Sequence, residues 1–353
     1  MKKIRLLLLF GGISNEHEVS LLSTASILKY INKEKYEIIK VGITKEGRWF
    51  LTDADAKAIS DGSWEKNPNN VEAMVRFAGE HKGIYTIDGK EYILDCVFPV
   101  MHGKNAEDGA MQGLWEMADI AYVGPGVLAS STGMDKVTAK LIADQTGVKQ
   151  AKYYATDRFE FSSNPIGELE NIKKYFNNSY PLFVKPSNSG SSVGITKAHN
   201  ERELFDGIKD AALVDHRILI EEAIVGREIE VAVIGNRDPH ATKIGEILSA
   251  NEMYDYEAKY LSEDSRTKIV DDLDDITEEK IRNFAVDIYK AFNCRGLSRV
   301  DFFYTDDGQI VFNEINTLPG FTNISMYPQL WNAMGVEYDE LIDKLIYYAM
   351  EEK

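Results

Sequence analysis

The chain has 353 residues, of which 44% are apolar and 10% aromatic, so it holds enough hydrophobic material for two or three packed domains and is not a disordered protein. The formal net charge of -17 excludes nonspecific binding to nucleic acid or to an anionic membrane, since both partners demand basic protein surface. No stretch approaches the roughly 20 apolar residues of a membrane span, and two cysteines are too few for a disulfide framework. We therefore expect a cytoplasmic enzyme whose partners are small molecules.

The first third of the chain alternates strand and helix patterns. Apolar runs at 4–10, 37–44 and 96–100 predict strands, and helical patterns occur at about 19–31 and 111–117. This alternation is typical of a doubly wound parallel sheet. Residues 1–124 are therefore predicted to form an N-terminal α/β substrate-binding domain.

Two polar loops, at 11–18 and 101–109, follow predicted strands of this sheet. Ligands of open α/β sheets bind at the carboxyl ends of the strands, so both loops are candidates for a site that holds a small polar substrate. Taken alone, each loop is equally well explained as a solvated connection. The first loop lacks the complete G-x-G-x-x-G pattern, which weakens the alternative of a nicotinamide-dependent dehydrogenase.

A second unit, predicted over residues 125–220, contains a loop rich in glycine and serine at 186–194 between two short strands. Small residues leave backbone N–H groups able to close over phosphate oxygens, although the loop does not match the P-loop pattern. Lys185 ends the otherwise apolar strand before this loop. Because a buried ammonium is costly, Lys185 is expected to pair with an anion.

The remaining unit, 221–353, contains a long segment of low apolar periodicity between about 247 and 273. Irregular segments of this length inside a compact domain are typically lids. A helix is predicted from 275 to about 291, after which 297–319 reads as a hairpin, and a last helix covers about 338–350.

The hairpin brings charged residues onto one face. Asp307-Gly308 between two apolar runs predicts a two-residue turn in which Asp306 faces Gln309. Side chains alternate across a strand, so the register can be counted outward from the turn. Two facing pairs are then predicted on the same side: Asp301 with Glu314, and Arg299 with Asn316.

Two opposed carboxylates favour a bound cation. At about 5 Å their repulsion is about 3 kcal/mol for an effective dielectric near 20. Oxygen ligands from two acids and an amide suit Mg²⁺ or Mn²⁺, and Mg²⁺ held by few protein groups keeps positions for phosphate. The alternative is that these residues form the solvated face of an ordinary hairpin.

Seven motifs, in this order, carry a resemblance: GGISNEHEVS at 11–20, HGKNAEDGAMQG at 102–113, MDK at 134–136, KPSNSGSSVG at 185–194, YDYEAKY at 254–260, RVDFF at 299–303 and NEINTLPGFTNIS at 313–325. Together they resemble the D-alanine-D-alanine ligases of the ATP-grasp superfamily, essentially from end to end. The resemblance implies an α/β (α+β) fold of three lobes, with ATP between the central and C-terminal ones. It also implies a reaction that forms D-alanyl phosphate and then the D-alanyl-D-alanine dipeptide for peptidoglycan.

The resemblance implies roles for individual residues. The ligands of two Mg²⁺ or Mn²⁺ ions are Asp301, Glu314 and Asn316. ATP contacts fall on Lys136, Lys185, Ser191, Ser192, Glu221, Glu222, Ile224, Glu228, Lys259 and Asn313. Substrate-binding residues are Glu16, His102, Lys259, Arg299 and Ser325. The catalytic set is Glu16, Ser191, Tyr260, Arg299, Gly320 and Ser325, in which Arg299 and the Gly320 N–H stabilise an oxyanion while Ser191, Tyr260 and Glu16 latch the lid.

The lid motif bears on the second substrate. Ligases of this family that use D-lactate lack the Lys-Tyr pair that this chain keeps as Lys259-Tyr260, so D-lactate is disfavoured. D-Serine is harder to exclude, because an apolar pocket rejects one added hydroxyl poorly. A D-alanine-D-serine ligase, another ATP-grasp amino-acid ligase and a nonenzymatic nucleotide-binding regulator are the alternatives. A homodimer is expected.

Overall fold

The computed structural model describes residues 2–77, 81–248 and 266–351. Within these ranges the chain forms three β-sheets with helices packed against them. No helix in the described ranges is both long enough and apolar enough to cross a membrane.

The first sheet belongs to the N-terminal third of the chain. Its strands are β1 (Ile4–Gly11), β2 (Tyr36–Ile43), β3 (Trp49–Leu51), β4 (Val71–Arg76), β5 (Gly83–Thr86), β6 (Glu91–Ile93), β7 (Cys96–Val100) and β8 (Ala121–Tyr122). They lie in the order β6-β5-β4-β3-β2-β1-β7-β8. Strands β2, β1, β7 and β8 are parallel, which confirms the predicted parallel sheet. The antiparallel extension β3 to β6 was not predicted, because its strands are short.

Strand β1 is covered on both sides. Leu6 and Leu8 belong to one buried cluster and Leu7 and Leu9 to another, as expected when successive side chains of a central strand point to opposite faces. The helices of this region are α1 (His17–Tyr30), α2 (Ala56–Ser60) and α3 (Ala110–Met117). The loops that precede α1 and α3 therefore lie at the carboxyl ends of β1 and β7.

The second sheet is antiparallel and has its own core. Its strands are β10 (Tyr153–Asp157), β11 (Leu182–Pro186), β12 (Thr196–Ala198) and β13 (Arg217–Glu222), in the order β10-β13-β11-β12. Helices α6 (Arg158–Ser163), α7 (Pro165–Tyr175) and α8 (Glu201–Val214) contribute to the buried cluster on one face. Strand β13 runs across the boundary predicted at 220, so both halves of this strand lie in the central sheet.

The third sheet has the order β16-β15-β14-β17-β18-β9. Its strands are β9 (Lys149–Gln150), β14 (Arg227–Ile234), β15 (His240–Leu248), β16 (Arg266–Ile269), β17 (Leu297–Tyr304) and β18 (Ile310–Asn316). The remaining helices are α4 (Val127–Met134), α5 (Lys136–Ala143), α9 (Asp275–Ala291), α10 (Met326–Ala333) and α11 (Tyr338–Glu351). Strand β16 lies inside the segment predicted to be irregular, and residues 249–265 of that segment lie outside the described ranges.

The hairpin β17–β18 reaches the predicted register by a different route. Its loop has one more residue than predicted, because Thr305 rather than Asp306 faces Gln309, and the Thr305 N–H donates to the Gln309 carbonyl at 3.0 Å. A β-bulge then skips Asn313, since Phe302 pairs with Phe312 while Asp301 pairs with Glu314. The two offsets cancel. The predicted pairs Asp301–Glu314 and Arg299–Asn316 are therefore confirmed, whereas the two-residue turn is wrong.

Candidate active site

One cleft is lined by residues from all three sheets and their loops. The predicted site residues that line it are Glu16, Lys136, Ser191, Ser192, Arg299, Glu314, Asn316, Gly320 and Ser325. The Gly/Ser loop after β11 thus faces the acid-bearing hairpin across the cleft. Lys259 and Tyr260 lie outside the described residues.

Arg299 is the centre of a buried ion cluster on the hairpin. Its Nε and Nη2 donate to the two carboxylate oxygens of Asp301 at 2.8 and 2.7 Å. Its Nη2 also lies 3.1 Å from Oε1 of Glu230, a residue of β14 directly opposite Asp301. Glu230 was not predicted as a site residue. Its sequence signal is a charged residue two positions after Glu228, just before the apolar run 231–234.

A lysine joins the hairpin to the Gly/Ser loop. Lys136, at the start of α5, donates from Nζ to the Ser189 carbonyl at 2.7 Å and lies 3.6 Å from Oε2 of Glu314. Asp135 caps the same helix by accepting from the Thr138 N–H at 2.8 Å. The position of Lys136 is therefore set by a capped helix end and by a loop carbonyl.

The opposed acids of the hairpin already face side-chain cations, Arg299 at Asp301 and Lys136 at Glu314. In the described residues, no group of three or more His, Cys, Asp and Glu side chains converges as a metal cluster. The Oδ1 atom of Asn316 is nevertheless buried and accepts no hydrogen bond from the described part of the chain. Two carboxylates and one unsatisfied amide oxygen fit an oxygen-preferring divalent cation, provided that Asp301 gives up a contact with Arg299.

Lys185 has the anionic partner that its buried position demands. Its Nζ forms an ion pair with Glu221, whose other carboxylate oxygen lies 2.9 Å from Nζ of Lys140. Burial favours the neutral acid, but the charges of Lys140 and Lys185 outweigh it and lower the pKa of Glu221 to about 2. Lys140 was missed from the sequence, where it is one ordinary lysine on a helix.

Other predicted nucleotide residues lie near this ion triad on β13 and β14. The Glu222 carboxylate accepts from the backbone N–H of Lys152 at 2.8 Å, and Ile224 is half-buried in the connection between the two strands. Glu228 pairs in register with Phe303 of β17. Among the described residues, the predicted site residues that do not line the cleft are His102, Lys185, Glu221, Glu222, Ile224, Glu228, Asp301 and Asn313.

The loops after β1 and β7 contribute Glu16 and Glu107 to the wall of the cleft, and His102 lies buried behind them. The Nδ1–H of His102 donates to the Leu318 carbonyl at 2.9 Å, so the neutral ring carries its lone pair on Nε2, which is buried and without a hydrogen-bond partner among the described residues. Burial lowers the pKa of His102, against the raising effect of the Glu16 charge. The carboxylate of Glu107 accepts from the Gly103 N–H at 2.8 Å, and burial, reinforced by Glu16, raises its pKa well above the usual value.

Glu16 lies between the His102 loop and the Gly/Ser loop. A Cβ atom added to Gly103 would come 2.8 Å from Oε2 of Glu16, and one added to Gly190 would come 3.4 Å from the same atom. Ser191 adopts φ +51°, and its Oγ is buried with no hydrogen-bond partner in the described part of the chain. The contact predicted between Ser191 and Tyr260 stays a prediction, because Tyr260 lies outside the described ranges.

The last part of the wall follows β18. Ser325 accepts from the Thr322 N–H at 3.1 Å and shares a hydrogen bond with the Thr322 hydroxyl at 2.8 Å. A Cβ atom on Gly320 would lie 3.2 Å from the Ser325 Oγ, so Gly320 and Ser325 are close neighbours, and both line the same cleft as Arg299.

Comparisons with known proteins agree with this geometry. The model described as "D-ala D-ala ligase N-terminus" matches residues 5–125, and "D-ala D-ala ligase C-terminus" matches 142–347. The D-alanine–D-alanine ligase of Acetivibrio thermocellus is 47% identical over 99% of this chain and 96% of the relative, and D-alanine–D-alanine ligase B of Clostridium tetani is 49% identical over 100% and 95%.

Solved structures agree as well. VanG D-Ala:D-Ser ligase from Enterococcus faecalis matches with a TM-score of 0.88 at 37% identity, covering 99% of this chain and 100% of that one. The D-alanine-D-alanine ligase from Coxiella burnetii matches with a TM-score of 0.88 at 33% identity, covering 100% and 95%. Three sheets around a cleft, with a Gly/Ser loop facing an acidic hairpin, define an ATP-grasp fold. Within that class, the chain belongs to the D-alanine–D-alanine ligase family.

Proposed function

We propose that the protein is an ATP-dependent D-alanine–D-alanine ligase. The carboxylate of one D-alanine takes the γ-phosphoryl group of ATP to give D-alanyl phosphate and ADP, and the amine of a second D-alanine then displaces phosphate to form the dipeptide used in peptidoglycan synthesis. The observation that carries this proposal is the cleft. Glu16, Arg299 and Glu314 come from separate sequence motifs, and all three line it. The full-length relatives named for this activity support it.

Phosphoryl transfer to a carboxylate brings negative charges together, so the protein must mainly neutralise and orient them. Lys136, which lines the cleft, and Lys185, which is paired with Glu221, would supply the cationic groups for the nucleotide phosphates. Two Mg²⁺ or Mn²⁺ ions would be held by Asp301, Glu314 and Asn316, where such ions neutralise phosphate charge when bound. Ser191, Ser192 and the neighbouring backbone of the Gly/Ser loop close over phosphate oxygens.

The substrate side has a different chemistry. The carboxylate of Glu16 binds the ammonium of the first D-alanine, and the neutral His102, whose buried Nε2 carries a lone pair able to accept a hydrogen bond, supports this part of the site. Arg299 and the Gly320 N–H stabilise the oxyanion that forms when the second amine attacks. Ser325, with Lys259, binds the carboxylate of the second substrate, and Tyr260 with Ser191 and Glu16 latches the site against water.

The second substrate is proposed to be D-alanine, with D-serine as the alternative. VanG, named as a D-Ala:D-Ser ligase, has a fold as similar to this chain as that of a D-alanine-D-alanine ligase, so the fold does not discriminate between them. The nonenzymatic regulator is disfavoured, because Arg299, Asp301, Glu314 and Asn316 are all present. A cytoplasmic homodimer remains the expected state.

The test is phosphate release in the presence of ATP and Mg²⁺, with products identified by mass. D-Alanine is supplied alone and then with D-serine or D-lactate. D-Alanyl-D-alanine from D-alanine alone is the expected product. A mixed dipeptide or depsipeptide made in preference would move the specificity within the family, and no phosphate release with any pair would overturn the proposal in favour of a binding protein.

A further inference from the structure

Arg299 lies between two carboxylates on adjacent strands. Asp301 on β17 and Glu230 on β14 are partners in the strand register, and both contact the same guanidinium. The three side chains are nearly buried, with exposed fractions of 15% for Arg299, 10% for Asp301 and 5% for Glu230. Arg299 and Glu230 both line the cleft.

This arrangement contains a conflict. Both oxygens of Asp301 accept hydrogen bonds from Arg299, at 2.8 and 2.7 Å, yet Asp301 is also a proposed ligand of a divalent cation. A bound cation would compete with the guanidinium for the same oxygens. If Asp301 were the sole partner of Arg299, its loss would leave an uncompensated buried charge, which is strongly unfavourable.

We propose that Glu230 is a positioning residue that keeps Arg299 in the cleft when Asp301 turns to the divalent cation. Glu230 Oε1 already lies 3.1 Å from Nη2, so the guanidinium shifts its charge pairing to Glu230 without leaving its place. Glu230 thereby increases the affinity of Asp301 for the cation. It also keeps the Arg299 guanidinium in position to stabilise the oxyanion. This inference rests on the proposed metal role of Asp301.

The inference differs from two simpler roles for Glu230. If Glu230 only stabilised the sheet, its neutralisation would leave metal affinity unchanged. If Glu230 were itself a metal ligand, neutralisation would weaken metal binding whether or not Arg299 was present. If Glu230 acts through Arg299, its substitution changes metal affinity only while the Arg299 guanidinium is present. A double-mutant cycle detects this dependence of one substitution on the other.

The experiment measures Mn²⁺ affinity by electron paramagnetic resonance, with a nonhydrolysable ATP analogue bound. Wild type is compared with Glu230→Gln, Arg299→Gln and the double variant, each checked for native circular dichroism. In the wild-type background, Glu230→Gln is expected to weaken Mn²⁺ binding about tenfold. In the Arg299→Gln background it is expected to leave the Mn²⁺ affinity unchanged. Unchanged affinity in Glu230→Gln, or the same loss in both backgrounds, overturns the inference.

Two controls complete the design. Glu246→Gln removes another buried acid of the same sheet, one that pairs with Arg227 and Lys268, and is expected to leave Mn²⁺ affinity unchanged. Glu230→Asp retains the charge and is expected to restore part of the affinity, which a loss of folding in Glu230→Gln would not explain. If wild type itself fails to bind Mn²⁺, the proposed metal site fails, and the failure is distinguishable from a Glu230 effect.

Discussion

Glu314 is a proposed metal ligand that lies 3.6 Å from Nζ of Lys136. Glu314→Gln keeps the size of the side chain but removes a charge beside Lys136 and the proposed cations. We expect Mg²⁺-dependent turnover to fall at least about a hundredfold. The reason is that a ligand of the proposed cations is lost, so the negative charge on the transferred phosphoryl group is neutralised less well. Steady-state phosphate release measures it, with circular dichroism as the folding control. Turnover close to wild type would refute the metal assignment.

Lys140 is a buried residue that affects a proposed phosphate-binding lysine through a shared carboxylate. Its ammonium and that of Lys185 share the carboxylate of Glu221, and the side chain of Lys140 is only 3% exposed. When Lys140 is absent, the whole charge of Glu221 falls on Lys185. Lys185 is then held more firmly by the protein and is less available to a phosphate.

The corresponding substitution is Lys140→Met, which preserves the buried aliphatic stem. We expect the dissociation constant of a nonhydrolysable ATP analogue to rise about tenfold. Isothermal titration calorimetry measures the affinity directly. Lys149→Met is the matched control, because Lys149 is exposed and its Nζ contacts only Gln309 among the described residues. Equal affinities for the two variants would argue against the shared-carboxylate role.

His102 supplies a pH dependence. Burial lowers its pKa below the ordinary 6.5, so at mildly acidic pH the unfolded chain binds a proton that the folded protein does not. The free energy of unfolding should therefore increase as pH rises towards 6.5 and lose this dependence above it. The slope from one such group is at most about 1.4 kcal/mol per pH unit.

Urea unfolding between about pH 5 and pH 7 tests this expectation. The difference in unfolding free energy between wild type and His102→Gln should grow with pH over this interval, since only wild type has the titrating ring. A difference that stays constant with pH would mean that the His102 ring titrates in the same way in both states.

At the scale of elements, the hairpin illustrates what local rules can and cannot predict. The Asp307-Gly308 turn signal and the alternation of apolar residues located the strands and the charged face. The extra loop residue and the bulge at Asn313 were not predictable, because a bulge depends on how β17 fits β14 as well as β18. The predicted pairing of Asp301 and Glu314 was confirmed because the two errors were equal and opposite.

The stability of this hairpin depends on its buried face. Phe302 is 1% exposed and packs edge-on against Phe312, with ring centroids 6.3 Å apart. Phe302→Ala should lower the free energy of unfolding by about 3–5 kcal/mol, through lost burial and the cavity that remains. Phe159→Ala, at a residue 79% exposed, should change it by less than about 0.5 kcal/mol. Urea unfolding compares the two variants, and similar losses would place the hairpin core elsewhere.

At the scale of the molecule, the three sheets share cores unequally. Leu8 and Phe98 of the first sheet lie in one buried cluster with Ala232 and Ile234 of the third, whereas the second sheet has a separate cluster. The first and third sheets thus share one hydrophobic core. Helix α5 packs with Ala139 and Ala143 in the buried cluster of the third sheet, and polar contacts join the start of this helix to the second sheet and its loop, Lys136 with Ser189 and Asp135 with Arg217.

A nucleotide bound in this cleft should stabilise all three lobes together. With Mg²⁺ and a nonhydrolysable ATP analogue at about 100 times its dissociation constant, the free energy of unfolding should rise by about 2.7 kcal/mol. Thermal unfolding followed by intrinsic fluorescence should show a single transition shifted upwards. Removing Mg²⁺ with EDTA should abolish most of the shift, and Glu314→Gln should show little shift even with Mg²⁺. A shift insensitive to EDTA would contradict a metal-assisted site.

The sequence by itself determined the family, the parallel sheet and the charged face of the hairpin, because motif order, strand alternation and turn chemistry are local properties. Only the tertiary structure decided that Glu230 contacts Arg299, that Lys140 shares Glu221 with Lys185, and that Glu107 supports the loop beside His102. The contacts of Glu230 and Lys140 join residues that are far apart in the chain. The contact of Glu107 lies within one loop, whose sequence has no distinctive pattern for it. Their partners follow from strand pairing and burial, which no local spacing encodes.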